Sequence, residues 1–399
     1  MSGLQLKQKR TMRVLLFDPL NTQNNFYVLA KYLRRAGVSA SLLIDLGNWI
    51  PEEHSPRWHE NKNLGFVYRL DFSQLVRNPA GFLKVWSEMK RLADGFDLIV
   101  CSGLAPILAA RMRKPFLFIS QGSDLDQEAV QGWSGIPRNH FTIANRLEFL
   151  LRKNLIVWSI RRARATVLSP YQIPLAERLG LKNLRSMPHI IDPDVLKPMP
   201  EEQRCVERGK LRKDLDCDLV LFHPSRQVWL DPSLADCKGN DKVFIAFARF
   251  VSHHKRAKLI VVNKGWDADK SRQLVNELGI RDNVVWLNPM VKLDMDWYYN
   301  TADIVLDQFT VGVLALVAVE AMACGTPVIS YVTKACYDER PPVVSAHSTY
   351  DIYANLVELA GNTARREMIG ERGVDWVRRS CHPGVAIKKY ISLFHEVVA

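Results

Sequence analysis

Short apolar runs of four or five residues alternate along this chain with longer segments whose apolar positions recur every three or four residues. The first kind reads as buried strands and the second as helices laid across a sheet; their alternation is the pattern of parallel βαβ units. In the first half, Arg13-Val-Leu-Leu-Phe17, Ala40-Ser-Leu-Leu-Ile44, Leu98-Ile-Val-Cys101 and Phe116-Leu-Phe-Ile119 are predicted strands. Asn24 to Ala36 is a predicted helix, because Phe26, Leu29, Ala30 and Leu33 share a face and Gly37 stands where a helix ends. The second half repeats the alternation with Leu219–Phe222, Leu259–Val262, Val284–Leu287, Ile304–Leu306 and Pro327–Ser330 as strands and Lys242 to Phe250 as a helical run. Asp192 to Asp214, rich in Pro, Glu, Lys and Arg, reads as a linker. No internal repeat of fixed period is present. The expected fold class is therefore α/β, with two doubly wound, Rossmann-like domains joined near residue 200. Ligands in such sheets bind beyond the carboxyl ends of the strands.

Composition adds less than charge does. A chain of 399 residues, 47% hydrophobic and 24% charged, is long enough for two domains with a core each. The longest apolar run, Phe309 to Val319, is about half a membrane span and is interrupted by Thr310. The N-terminus has basic residues before a short apolar run but no long apolar core with a cleavage site, so a secretory signal is not expected. The seven cysteines form no C-x-x-C pair, which points to a reducing, cytoplasmic compartment and away from a disulfide framework or thiolate zinc site. Net charge is +12 and lies on one side. Residues 1–200 hold 28 basic and 16 acidic side chains, a balance of +12, while the remaining 26 basic and 26 acidic residues balance to zero. A basic half points to an anionic partner, either membrane phosphate or nucleic acid.

The candidate chemistry is concentrated in the second half. Leu221-Phe-His-Pro-Ser-Arg-Gln227 sets Arg226 at a strand end, and Cys237-Lys-Gly-Asn-Asp241 sets Lys238 at the next helix start. Two fixed cations and helix-start amides on one sheet edge make a diphosphate cradle; two unrelated surface charges are the plainer alternative. Val317-Ala-Val-Glu-Ala-Met-Ala-Cys-Gly-Thr-Pro-Val-Ile-Ser330 carries one carboxylate, Glu320, in an otherwise apolar helix predicted to begin near Val313. A buried charge must be paired or hydrogen-bonded, so Glu320 is either a helix acid satisfied locally or a ligand carboxylate. D-x-D triplets begin at Asp124, Asp192, Asp214, Asp216, Asp267 and Asp294; their scatter reads as chance, and no metal site is expected.

These motifs together resemble the GT-B glycosyltransferases, and among them the retaining family-four glycosyltransferases, also described as glycosyl transferases group 1. The order Arg226, Lys238-Gly239, then Glu320-Ala-Met-Ala-Cys-Gly-Thr-Pro-Val-Ile329 matches that group's pattern, as do Val285-Trp-Leu-Asn-Pro-Met290 and Trp297-Tyr-Tyr-Asn-Thr-Ala-Asp303. More loosely, Gln121-Gly-Ser-Asp124 resembles its H-G-x-D turn and Met187 to Pro198 its hinge. The resemblance implies two domains facing a cleft. Residues 1–198 would bind acceptor and 199–383 the nucleotide-sugar, with 384–399 a helix returning to the first domain. It implies that Arg226 and Lys238 hold the donor diphosphate as the catalytic cations and that Glu320 holds the ribose. Gly312, Val313 and Leu314 would complete the donor site, and Gln121, Asp124 and Asn21 would contact acceptor or sugar. It implies no cofactor beyond the nucleotide-sugar substrate.

Two departures stand out. Gly312 occupies the position of the group's first glutamate, and Gln121 that of its usual histidine; glutamine can hydrogen-bond a sugar hydroxyl but cannot shuttle a proton. The acceptor expected is lipid-linked or a polysaccharide. Residues 138–164 support a membrane location, since Arg138, Arg146, Arg152, Lys153, Arg161, Arg162 and Arg164 interleave with Ile143, Leu147, Leu150, Leu151, Leu155 and Trp158 at helical spacing. That is the pattern of a basic helix lying on an anionic membrane, here the inner face, or of a core-packed helix with a solvated basic face. A nucleic-acid acceptor, such as modified phage DNA, is a less expected partner because the stretch lacks an aromatic stacking platform. A non-catalytic sugar-nucleotide-binding protein is the third reading.

Overall fold

The computed structural model describes residues 11–19, 24–47, 64–74, 79–122, 124–131, 153–290, 292–333, 337 and 339–399. Asn21 and residues 138–152 of the basic stretch lie outside them. Among the described residues the strands form two parallel sheets. The first contains β1 (Arg13–Phe17), β2 (Ser39–Asp45), β3 (Val67–Leu70), β4 (Leu98–Cys101), β5 (Phe116–Ile119), β6 (Ala165–Leu168) and β7 (Leu184–Ser186), ordered β3-β2-β1-β4-β5-β6-β7. The second contains β8 (Leu219–His223), β9 (Ala257–Val262), β10 (Val284–Leu287), β11 (Ile304–Leu306), β12 (Val328–Ser330) and β13 (Val344–Ser345), ordered β10-β9-β8-β11-β12-β13. Chain order reverses between β1 and β4 in one sheet and between β8 and β11 in the other, which marks a ligand crevice at each.

The central strands are largely apolar because both of their faces are covered. Val14, Leu16, Leu42 and Val100 pack with helix Asn25–Arg35 on one face of the first sheet, and Leu15, Phe17, Ile99 and Phe118 pack on the other. In the second sheet, helix Asn240–Val251 lays Val243, Phe244, Phe247 and Phe250 on one face, while helix Leu316–Ala323 packs on the other. Helix Pro383–Val398 departs from the second sheet and inserts Ile387, Tyr390, Leu393, Phe394 and Val397 into the first core. Its far end is held there by Arg164 Nη1 donating to Val397 O at 2.7 Å and by the Arg185–Glu396 ion pair at 2.5 Å.

Asp192 to Asp214 is not a linker throughout. Residues Glu201–Asp214 form a helix in which only Leu211 is deeply buried. Its contacts are polar, which is why the sequence shows no apolar stripe there: Arg204 Nε donates to Asn300 O at 2.9 Å and Arg208 Nη2 to Ala302 O at 3.0 Å. The turn before it is fixed to the first domain by Asp192, which accepts from Lys31 Nζ and Tyr32 Oη, each at 2.7 Å.

Candidate functional site

The carboxyl edges of the two sheets face each other across a cleft of about 210 Å³. The first domain contributes Asn25, Gln121, Gly122, Asp126, Ser169, Tyr171 and the Met187–Ile190 segment; the second contributes Arg226, Asp236, Lys238, Gln308 and residues 313–316; the returning helix adds Tyr390. Arg226 follows β8 and Gln308 follows β11, so the second domain's wall is its own switch point.

Backbone geometry sets Lys238 there. Gly239 has φ +65° at the helix N-cap, and a Cβ on it would lie 3.1 Å from Thr310 Cγ2. With that turn made, Lys238 N donates to Val228 O at 2.6 Å and its carbonyl accepts from Phe309 N at 2.8 Å. Among the described residues the Lys238 ammonium has no hydrogen-bond or ion-pair partner. Burial pulls it below the ordinary lysine range, Asp307 pulls it back up and Arg226 pushes it further down. Arg226 Nη2 lies 3.1 Å from Asp236 Oδ2, an ion pair without hydrogen-bond alignment. Two cations thus share the crevice with incomplete neutralisation, the condition that favours an anionic ligand.

Asp307 and Gln308 organise this wall, and neither is legible as a site residue from sequence. Asp307 is buried, accepts from Ser225 Oγ at 2.8 Å and stands close enough to Lys238 to be stabilised by it. Gln308 is fully buried. Its Nε2 donates to Val313 O and Tyr331 O, each at 2.8 Å, and its Oε1 accepts from Thr310 N at 3.1 Å and Val311 N at 2.8 Å. This clamp forces residues 310–315 into a loop, so the helix bearing Glu320 begins at Leu316, later than the expected Val313. Within the loop, Gly312 has φ +78°, and a Cβ there would lie 3.1 Å from both Thr333 Cγ2 and Tyr331 Cε1. The glycine in the place of a glutamate is therefore demanded by the backbone. Val313 and Leu314 line the cleft beside it.

Glu320 is buried and accepts from Tyr299 Oη at 2.8 Å. It lines a smaller hollow that shares Asn25, Ile190 and Leu316 with the cleft. Its carboxylate is both hydrogen-bonded within the fold and next to the crevice, so the two roles posed by the sequence are not exclusive.

On the opposite wall, Gln121 lines the cleft and its Oε1 accepts from Asn25 Nδ2 at 3.0 Å. Asp124 lies beneath the turn and is not among the cleft-lining residues. Its carboxylate accepts from Ser120 Oγ at 2.8 Å, Leu125 N at 2.9 Å, and Gly103 N and Gln121 N at 3.0 Å. The carboxylate that reaches the cleft is Asp126, held by Tyr171 Oη at 2.5 Å and Gln172 Nε2 at 2.9 Å. Burial raises Asp126 above the usual carboxylate range, against the pull of Tyr171 and Gln172. Tyr171 and Gln172 follow β6, a strand hidden behind the basic run. Among the described residues no group of three or more His, Cys, Asp or Glu side chains is arranged to hold a metal. Several D-x-D acids have other work: Asp192 in the hinge, Asp267 accepting from Trp229 N and Leu230 N at 2.7 and 3.0 Å, and Asp216 and Asp218 pairing with Arg256.

Residues 232–338 match the family described as glycosyl transferases group 1. Over 94 residues the chain is 28% identical to alpha-monoglucosyldiacylglycerol synthase of Streptococcus pneumoniae, covering 24% of this chain and 21% of that protein. The chain spans less than a quarter of the length of the curated relatives it matches, 23% and 21%. The whole fold is similar to that of sucrose-phosphate synthase from Thermosynechococcus elongatus, with TM-score 0.68 and 17% identity over 96% of this chain and 99% of that one. It is equally similar to Anabaena HepE in complex with UDP-glucose, with TM-score 0.68 and 17% identity over 96% of this chain and 100% of that one. The architecture of two parallel α/β domains is that of the GT-B glycosyltransferases.

Proposed function

We propose that this chain, a GT-B protein related through residues 232–338 to the glycosyl transferases group 1, is a retaining glycosyltransferase that moves a sugar from a nucleotide-sugar to a lipid-linked or polysaccharide acceptor. The observation that carries the reading is the pair Arg226 and Lys238, set at the second sheet's switch point with less neutralising charge than they need. A nucleoside diphosphate supplies that charge. Its ribose would lie toward Glu320 and its sugar toward the loop around Gly312, facing Gln121 and Asp126 across the cleft. As the bond from the sugar's C1 to the diphosphate breaks, negative charge grows on the leaving phosphate. Arg226, Lys238 and the amides at the start of helix Asn240–Val251 are already oriented to stabilise it, which gives the metal-free course we favour. The acceptor's oxygen forms the new bond to C1, and its proton passes to the departing phosphate oxygen. With Gly312 in place of a carboxylate, the sugar would be held by backbone groups of the loop and by the first domain.

The acceptor half carries the basic excess, and the similarity to a diacylglycerol-lipid synthase fits an acceptor presented at an anionic membrane. No helix among the described residues is long and apolar enough to cross a membrane; the attachment we propose, from the basic stretch, is peripheral and on the inner face. The described end of the basic stretch has both features weighed from the sequence. Ile156 and Ile160 are buried in the core, while Leu155 and Trp158 are exposed among Lys153, Arg161 and Arg162. Arg162 and Arg111 lie over the Trp158 ring at 3.8 and 5.0 Å. A thermal-shift screen against nucleotide-sugars tests the donor half of the reading. A true donor at about 100 times its dissociation constant adds about 2.7 kcal/mol of stability, and a panel in which no nucleotide-sugar shifts the melt contradicts it.

A further inference from the structure

A second cavity, of about 380 Å³, lies at the amino-terminal edge of the second sheet, where Asp303 precedes β11 and Pro327 precedes β12. It is on the opposite sheet edge from the donor cleft. Helix Glu201–Asp214 turns Arg204, Arg208 and Arg212 toward it, at i, i+4 and i+8 on one face. A fourth arginine, Arg366, comes from the first turn of helix Thr363–Ser380.

The guanidinium groups of Arg204, Arg208 and Arg212 are anchored but not used up. Arg366, by contrast, donates from Nη1 to Leu359 O and Ala360 O and from Nη2 to Thr363 Oγ1, and adds positive charge to the rim. Arg204 Nη2 donates to Gly325 O at 3.2 Å and Thr326 Oγ1 at 2.9 Å, Arg208 Nη2 donates to Ala302 O at 3.0 Å, and Arg212 Nη2 meets Asp303 Oδ1 at 2.6 Å. Among the described residues, Nη1 of these three arginines has no partner, and the Nε–H groups of Arg208 and Arg212 are buried without one. The nearby acids do not balance the charge. Asp303 is taken by Arg212 and by Val220 N at 2.8 Å, leaving Glu201 and Glu367 at the margin. The first turn of Thr363–Ser380 contains no acid, although a helix start favours negative charge. Burial, followed by the neighbouring Arg204, brings Arg208 down to about 10. Three forked donors, each held through Nη2 with Nη1 unpartnered among the described residues, suit the oxygens of a phosphate.

We propose that this cavity binds a small phosphate-bearing anion at an effector site separate from the donor cleft. The site has a route to the active cleft through Arg204. That side chain bonds Asn300 O, and the Asn300 side chain accepts from Met199 N at 2.7 Å and donates to Lys197 O at 3.1 Å, in the crossing between the domains. Arg204 also holds Gly325 O at the end of the helix that carries Glu320.

Calorimetric titration of the whole protein with inorganic pyrophosphate tests the assignment. The expected result is two equivalents, of which one remains in the cleft variant Arg226→Gln/Lys238→Gln. Adding Arg208→Gln and Arg366→Gln to that variant should weaken the remaining site about ten-fold or more, while the exposed control Arg372→Gln leaves it unchanged. Each variant is first checked for an unaltered melt without ligand, and Arg208→Gln alone serves for the comparison if the combined variant does not fold. A single equivalent that disappears with the cleft variant, or a second equivalent that survives the loss of both arginines, overturns the proposal. Loss of the first equivalent bears only on the donor cleft.

Discussion

Gly312→Ala puts the loop argument to a direct test. The substitution adds one methyl group, but it adds it at φ +78°, with Thr333 Cγ2 and Tyr331 Cε1 each 3.1 Å from the new Cβ. The left-handed conformation costs an L-residue about 1–2 kcal/mol. The two close contacts add about 1 kcal/mol, because Tyr331 and Thr333 must give way in a packed wall. The expected loss is therefore about 2–3 kcal/mol, read as a lower urea midpoint at unchanged slope. Gly312 O also accepts from Thr333 N at 3.0 Å and Thr333 Oγ1 at 3.2 Å, so relief of the strain moves residues 311–315 and weakens donor binding. Gly312→Glu, which places the family's usual carboxylate here, carries the same backbone cost and should not tighten the donor. An Ala variant with the parent's urea midpoint, or a Glu variant that binds donor more tightly without losing stability, refutes the reasoning.

Glu320→Gln should weaken nucleoside diphosphate binding and leave inorganic pyrophosphate binding unchanged, because only the former carries a ribose; calorimetry with the two ligands decides, and equal losses mean that the Tyr299 bond is the whole role of Glu320. His223 is buried with Nδ1–H donating to Leu306 O and Nε2 accepting from Asn240 Nδ2, each at 2.9 Å, and burial lowers it to about 4. Since the unfolded chain binds this proton more readily, its contribution is present above about pH 6.5 and is lost as pH falls toward 4, about 3 kcal/mol in all; His223→Gln should flatten that part of the stability–pH curve, and an unchanged slope would contradict the assignment. Neutralising Arg152, Lys153, Arg161 and Arg162 together should release the protein from anionic vesicles at moderate salt, each charge being worth about 1 kcal/mol near such a surface. Sedimentation with anionic and neutral vesicles is the assay, and a parent that binds neither removes the membrane from the account.

The strands that the sequence makes legible are uninterrupted apolar runs, most of them with both faces buried, although β10 is an edge strand that is largely half-buried. β1, β4, β5, β10 and β11 have the expected bounds because each is an apolar run closed by polar residues. β3 and β7 were not visible, being short edge strands that are only half buried or less, and β6 stands directly after Arg161-Arg-Ala-Arg164. Helix Glu201–Asp214 was hidden for a different reason: its inward face caps carbonyls with arginines, which composition reads as solvent-exposed. At the site, Arg226, Lys238 and Glu320 were legible because a strand or helix end fixes where each one goes. Asp126, Tyr171, Asp307 and Gln308 were not, since each acquires its role from a partner many residues away: Asp126 from Tyr171, and Gln308 from Tyr331. Asp124 was expected to contact acceptor or sugar, but its carboxylate braces the turn's amides beneath the cleft wall.

The central claim is that Arg226 and Lys238 hold the diphosphate of a nucleotide-sugar as it leaves. Release of nucleoside diphosphate from a panel of nucleotide-sugars, followed in the parent and in Lys238→Ala at matched folded concentration, tests it most directly. The account predicts release from at least one donor by the parent and its near-abolition in the variant, whose melt without ligand stays that of the parent. Equal release by both proteins, or none by the parent with any donor that stabilises it, would contradict the claim.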